Sequence, residues 1–265
     1  MMRVFVEGIG LVGPGLDGWQ PSRALLAGTA AYVQRPTVVV ASDLLPAAER
    51  RRTGLPVKLA LAAGREAFEN AQRNAATTAT VFTSSSGDGE NLHYICSTLA
   101  SAEPEISPTR FHNSVHNAPA GYWSIATRSQ APSTSLCCHD ASFAAGLLDA
   151  AAQIVVDGEP VAVITYDQAY PEPLHAVRPL NANVGMALVL TAQPTAQVFA
   201  ALDVSYAPGA KATPMTDSAL EHLRATVPAA RCLPLLAALA GGTPTVVDLA
   251  YGEHHHLHIE VTPWQ

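Results

Sequence analysis

The sequence predicts an α/β fold, and three observations carry that prediction. Short apolar runs alternate with longer segments of helical period, the pattern of strands and helices packed in layers. A nearly uncharged helical segment lies mid-chain, where a layered fold buries an element on most sides. The chain of 265 residues is long enough to bury a substantial core, and it reads as a single domain over 1–265. Hydrophobic residues make up 48% and charged residues only 14%, against about 25% charged in ordinary soluble proteins. That excess predicts apolar surface hidden against a partner.

The elements follow in chain order. Strands are expected at Arg3–Ile9, Thr80–Ser84, Val161–Tyr166 and Val184–Thr191. Helical pattern first occurs near Pro21 to Leu26. Between the first two strands, Val57, Leu61, Gly64, Phe68 and Ala71 recur at spacings of four and three, one face of a long helix whose other face carries Lys58, Arg65, Glu66 and Glu69. A helix is expected over Ala118–Ala126, with His112, Asn113, His116 and Asn117 placed to cap its first turn. The mid-chain helix spans Ala141 to Val156, with Phe143, Leu147, Ala150 and Ile154 on one face and Asp157-Gly158 as its stop. Ser218-x-x-Glu221 reads as a capping box at the start of a short helix. Leu233 to Ala240 is helical up to Gly241-Gly242, and Thr245–Tyr251 with His256–Thr262 suits a hairpin around Gly252-Glu253.

The stretch Gly8-Ile9-Gly10-Leu11-Val12-Gly13 has the glycine spacing of a dinucleotide-binding turn. Such a turn works only where the third glycine opens a helix that holds the pyrophosphate. Here Pro14-Gly15-Leu16-Asp17-Gly18 follows instead. The acidic residue of Val38-Val39-Val40-Ala41-Ser42-Asp43 stands 30 positions after Gly13, rather than the roughly 20 that ribose binding requires. The glycines therefore read as shaping a turn after the first strand, and no cofactor is expected.

Charge and cysteine usage narrow the function further. A net charge of −7, with no basic cluster beyond Arg50-Arg51-Arg52, excludes nucleic acid as the main partner. No run of 18 apolar residues is present, which predicts a cytoplasmic chain with no membrane span. Cys96, Cys137, Cys138 and Cys232 fit neither a disulfide framework nor a CxxC metal spacing, so they read as reduced thiols. His254, His256 and His258 alternate, would share one strand face and could bind a metal ion; without a carboxylate or cysteine beside them, an exposed polar face with no metal is expected. The serines of Thr83-Ser84-Ser85-Ser86-Gly87 do not form G-x-S-x-G and read as turn hydrogen-bonders.

Several stretches, taken in order, resemble the N-terminal half of a β-ketoacyl synthase of the thiolase-like superfamily. "RVFVEGIGLVGPG" is similar to the opening strand and turn, "SRALLAG" to the next short helix, and "RRTGLPVKLALAAGREAFENA" to the first long helix. "TATVFTSSSGDG" resembles the second strand with its glycine-rich exit, and "ISPTRFHNSVHNAPAGYWSIAT" the segment before the nucleophile. "APSTSLCCHDASFAAGLLDAAAQIVVDGEPVAVITYDQ" is similar to the nucleophile turn, its helix and the next strand. The likeness covers residues 3 to 191, and within the superfamily it is greatest to short chain length factors of aryl polyene and related polyketide pathways. It implies a layered mixed β-sheet flanked by helices, with residues 192–265 a C-terminal helix and hairpin extension outside the likeness.

Ketosynthases carry acyl groups on a cysteine at a strand-to-helix elbow, where the helix N-terminus lowers the thiol pKa. Two histidines from a second half complete that chemistry, and no HTDAT-like or GHTxGAxG-like stretch occurs here. Counting back from Asp157-Gly158-Glu159 puts the nucleophile position near Ala141, with Cys138 three residues early. Cys138, beside His139 and Asp140, is the candidate thiolate; the alternative is that Cys137 and Cys138 are small buried residues ending a strand. The resemblance implies a non-catalytic subunit that pairs with a full-length β-ketoacyl synthase across Pro132–Leu136, and meets acyl carrier protein through that complex. Phe111, His112, Asn113, His116, Tyr122, Trp123, Ser135 and Phe143 are the candidates for lining the interface or an acyl tunnel, with Tyr122 and Trp123 as gates. The rival is a self-sufficient condensing enzyme using Cys138.

Overall fold

The computed structural model describes residues 1–40 and 43–264; Ala41 and Ser42 of the Val38–Asp43 stretch lie outside the described residues. Strand β1 runs Met2–Gly13 and turns back through β2, Leu16–Asp17. Thus the glycines of the opening motif lie inside a strand, not in a turn. A Cβ on Gly8 would stand 2.1 Å from the Ala67 carbonyl oxygen, and one on Gly10 1.9 Å from that of Ala63. Both glycines exist so that the long helix can cross the strand at backbone contact. The turn residue is Gly15, at φ +66.

Helix α1 (Trp19–Leu26), the single turn α2 (Ala47–Arg50) and the long α3 (Leu55–Ala71) follow. The apolar face of α3 is buried as its periodicity requires. Glu66 departs from the expected exposed face: its carboxylate accepts from the N–H groups of Leu11 (2.8 Å) and Trp19 (2.6 Å). It ties α3 to the end of β1 and to the start of α1, whose first N–H groups have no partner within the helix. Burial pushes this carboxyl up, against the two hydrogen bonds.

Next come β3 (Ala79–Thr83), α4 (Gly89–Leu99), α5 (Pro108–His112), α6 (Ala118–Thr127), β4 (Ser133–Leu136) and, after a 3-10 turn at His139–Ala141, α7 (Ser142–Asp157). The chain then forms β5 (Val161–Asp167), the short α8 (Leu174–Val177), β6 (Val184–Thr191) and β7 (Ala200–Pro208). Helix α9 (Ser218–Thr226), a 3-10 turn at Pro228–Cys232, α10 (Leu233–Gly241), β8 (Thr245–Tyr251) and β9 (His255–Pro263) complete it.

The strands form one mixed sheet in the order β4-β3-β5-β6-β1-β7-β9-β8, with β2 paired beside β1. β4, β3 and β5 are parallel and the other pairings antiparallel. Alternation along the strands divides the core in two. Phe82, Ala162, Ile164, Ala187 and Val189 face α3 and α6. Val81, Val163, Met186, Leu188 and Leu202 face α7, α10 and the turn at 228–232. Residues after 192 are no appendage, since β7 pairs with β1 and β9 with β7, extending the same sheet. The helix at 218 starts differently from the expected box. Asp217, not Ser218, caps it, accepting from Ala219 and Leu220 N–H, while Glu221 accepts from Met215 N–H and pairs with Arg224. None of the four residues expected to cap α6 does so; Asn117 occupies the cap without a side-chain bond, and Pro119 removes one free N–H.

Candidate functional site

The strand-to-helix turn between β4 and α7 is where the sequence places the candidate nucleophile. Ala141 is the residue preceding the first turn of α7, and Cys138 precedes the 3-10 turn. His139 between them takes the left-handed conformation, φ +50. For a residue with a Cβ that is a strained position, and it makes this turn sharp. Cys137 and Cys138 are exposed, which corrects their reading as buried strand-end residues.

The Cys138 N–H, the Cys137 thiol and the Asp140 carboxylate are each held by another part of the chain. The N–H of Cys138 donates to Ser142 Oγ at 3.0 Å, and that hydroxyl donates in turn to His139 O at 2.7 Å. The Cys137 thiol donates to Ser85 O at 3.0 Å. Asp140 is gripped by Arg178 (2.6 Å) and Arg231 (2.8 Å), which leaves it no role as base to Cys138. His139 is directed at Asp140, 3.5 Å away, and no hydrogen bond joins it to Cys138 Sγ among the described residues. Burial, then the nearby Cys138 and Tyr206, push the Tyr251 hydroxyl up.

Beneath the turn, Asp167 is buried completely at the end of β5. Its Oδ1 accepts from Ser84 Oγ (3.0 Å), Ser85 N–H (2.9 Å) and Ser85 Oγ (2.8 Å), and its Oδ2 from Ala229 N–H (2.8 Å). The serines are thus hydrogen-bonders of the turn after β3, as expected. Burial pushes the Asp167 carboxyl up, and the four donated bonds oppose it. This carboxylate joins the β3 exit, the β5 end and the turn at 228–232, and so fixes the floor on which the β4–α7 turn rests. Sequence reasoning missed it, although a lone acid ending an apolar strand is the available signal.

The expected interface residues separate into three groups. Phe111 and His112 are exposed on α5, and the His112 ring meets Tyr122 edge-on at 6.4 Å. Asn113 is buried and structural: its amide donates to Arg52 O (2.7 Å) and its oxygen accepts from Tyr122 O–H (3.1 Å). His116 is half-buried next to it, with Nε2 enclosed and unpaired. Trp123 packs under α3 against Phe68 and Phe82, at ring distances of 5.3 and 6.4 Å, and Phe143 lies in the opposite core layer. Both are packed core side chains, and Tyr122 is buried as well. Ser135 sits on β4, at the edge of the sheet.

That edge is open. The carbonyls of Pro132 and Leu136 accept from Thr80 and Ser84 on the β3 side. By the two-residue period of a strand, the backbone groups of Ser133 and Ser135 point away from the sheet. No residue of β4 is fully buried. Large apolar side chains are exposed in the segments that precede β4, with Leu92 at 52%, Phe111 at 67%, Val115 at 54% and Ile125 at 50%.

At the far end of the sheet, the three expected histidines do not share an exposed face. His254 lies in the turn before β9, His256 is buried, and His258 is half-buried. Asp248 on β8 is the cross-strand partner of His258 and supplies a carboxylate to the group. No helix of the described residues is long and apolar enough to cross a membrane.

Comparison with known proteins agrees with this architecture. The chain superposes on the ketosynthase (ApeO) in complex with its chain length factor (ApeC) from Xenorhabdus doucetiae with a TM-score of 0.73, at 22% identity, over 98% of this chain and 100% of that one. The ishigamide ketosynthase/chain length factor gives a TM-score of 0.75 at 15% identity over 100% of both chains. A β-ketoacyl synthase from Burkholderia phymatum STM815 gives 0.63 at 16% identity, over 87% of this chain and 71% of that one. No curated protein sequence matches. At these identities the superpositions establish the fold, a thiolase-like mixed sheet between helices. The family is established by sequence: the N-terminal domain of β-ketoacyl synthases matches residues 19–246, well past the stretches whose motifs are legible by eye, and the chain belongs to that family.

Proposed function

We propose that this chain is a non-catalytic, chain-length-factor-type subunit that pairs through β4 with a full-length β-ketoacyl synthase. The observation that carries the reading is the occupied β4–α7 turn. A thiol nucleophile needs a base or a cation to activate it, and backbone N–H groups free to hold the oxyanion. At Cys138 the nearest N–H is taken by Ser142 and the neighbouring acid is held by two arginines. The partner then performs the chemistry, taking the acyl chain from acyl carrier protein and condensing it with a malonyl unit by decarboxylation. This subunit contributes part of the wall that limits the chain. Two of the similar structures are described as ketosynthase and chain length factor assemblies, in support of that pairing. The finer assignment, a cytoplasmic polyketide, aryl polyene or fatty-acid-like pathway, rests on the sequence motifs.

Co-expression with a cysteine-bearing ketosynthase from the same genome tests it. The expected result is a one-to-one complex by light scattering whose elongation activity survives Cys137→Ala/Cys138→Ala in this chain and is lost when the partner's nucleophile is replaced. The exposure of Cys138 favours one second reading, a self-sufficient condensing enzyme. Acyl transfer by this chain alone, abolished in Cys138→Ala, would establish that reading instead.

A further inference from the structure

The last two strands place an aspartate and two histidines on one face of the sheet. Val247 and Leu249 on β8, and Leu257, Ile259 and Val261 on β9, point into the core. Asp248, His256 and His258 therefore point to the opposite side. Asp248 and His258 are direct cross-strand partners, with His258 Nδ1 2.8 Å from Asp248 Oδ1. His256, one step diagonal, has Nε2 3.5 Å from the same oxygen. One ligand atom from each of the three lies within 4.8 Å of the others. Ligands of a tetrahedral zinc ion, each about 2.0–2.1 Å from the metal, stand about 3.4 Å apart, and to join them the half-exposed His258 ring gives up its hydrogen bond to Asp248 and any proton on the ligating nitrogen.

The decisive detail is the tautomer of His256. Its Nδ1 lies 2.6 Å from the Gly209 carbonyl, an atom that can only accept, so Nδ1 carries the proton. In the neutral ring Nε2 then holds a lone pair, aimed at a carboxylate oxygen inside a side-chain environment only 4% exposed. A cation between Nε2 and the carboxylate satisfies both atoms, as would a proton on Nε2, and nitrogen-15 resonance separates the two. A metal-binding histidine is held in this way, with its second nitrogen on a backbone carbonyl.

We propose that Asp248, His256 and His258 form a binding site for a divalent transition-metal cation of the zinc type. Two imidazoles and one carboxylate leave a fourth position, which water can fill because Asp248 and His258 are both partly exposed. The ion ties edge strand β8 to β9 and, through Gly209, to the loop after β7. This site does not depend on the ketosynthase-pairing reading.

The test uses the full, untagged chain, stripped with chelator, incubated with zinc chloride, desalted and measured for bound metal by mass spectrometry. One equivalent per chain is expected, together with a rise in melting temperature on zinc addition. Asp248→Asn and His258→Gln, both at partly exposed positions, should each weaken binding more than about 100-fold, beyond what loss of an outer-shell contact does, while keeping the circular dichroism of the parent. His254→Ala, in the exposed turn, should keep the full equivalent. Absence of retained metal in the parent, retention in the Asp248 and His258 variants, or loss in His254→Ala would each overturn the site. A proton on both nitrogens of His256 in the zinc-treated chain, seen by nitrogen-15 resonance, would also overturn it.

Discussion

At one end of the sheet β8 is covered at its centre by the chain itself, and at the other β4 is left bare. The outer side of β8 meets the loop after β7: Thr213 N–H donates to Asp248 O (2.8 Å) and Asp248 N–H donates to Thr213 Oγ1 (2.9 Å). Asp248 also reaches His256 and His258 of β9. Across the sheet, the outward groups of Ser133 and Ser135 have no strand beyond them among the described residues. Phe111 and Val115, in the segment before α6, are exposed as well. An unpaired strand edge is a template for another strand, and the proposed pairing uses this one. The two ends therefore differ: one is covered in part by the chain itself, and the other is the edge at which the proposed pairing places the partner.

Substituting Ser135→Pro should have the largest effect, because it removes an outward N–H from the joining edge. Loss of the complex with the ketosynthase is expected by size-exclusion chromatography, with the isolated chain still folded, since proline is tolerated on the open side of an edge strand. A complex that survives would move the interface away from β4. Next in size is Asp167→Asn. Both oxygens of Asp167 face backbone N–H groups that cannot reverse, Ser85 on one side and Ala229 on the other. An amide must place its NH2 against one of them, so a loss of about 1–3 kcal/mol in denaturant stability is expected.

At the closed end, Asp217→Ala should cost about 1 kcal/mol through loss of the α9 cap, whereas Ser218→Ala should stay within about 0.5 kcal/mol. Equal costs would restore the capping box read from the sequence. The smallest expected effect is on pH dependence. The hydrogen-bonded Arg224 guanidinium holds the Glu221 carboxyl down at about 2. A carboxyl lowered on folding stabilises above its unfolded value and loses that contribution as pH falls toward 2. Melting of Glu221→Gln should therefore decline less than the parent's between pH 4.5 and pH 2, the window given by that shift.

The open end was more legible in the sequence than the closed one, for physical reasons. The α3 and α7 periodicities come from single faces packed on a sheet, so Val57, Phe68, Leu147 and Ile154 announce themselves. Strand β7 went unread because it opens on Ala200-Ala201 and carries Asp203 within, a residue disfavoured in strands unless, as here, a cross-strand arginine pairs with it. The glycines of β1 were read as a turn because close approach of a helix backbone and a left-handed turn both demand glycine, and spacing does not separate them. Glu66 and Asp167 were missed as organising carboxylates because their donors lie 47 to 83 residues away in sequence. The Asp248 and histidine group is of the same kind: the alternation on β9 was visible, but the carboxylate depends on strand register.

Amide hydrogen exchange of this chain, alone and with its ketosynthase, compares the two edges in one experiment. The account predicts that Ser133 and Ser135 exchange freely in the isolated chain and become protected in the complex, with β8 unchanged between the two states. Protection arising at β8, or a stable complex that leaves the β4 amides free to exchange, would contradict it.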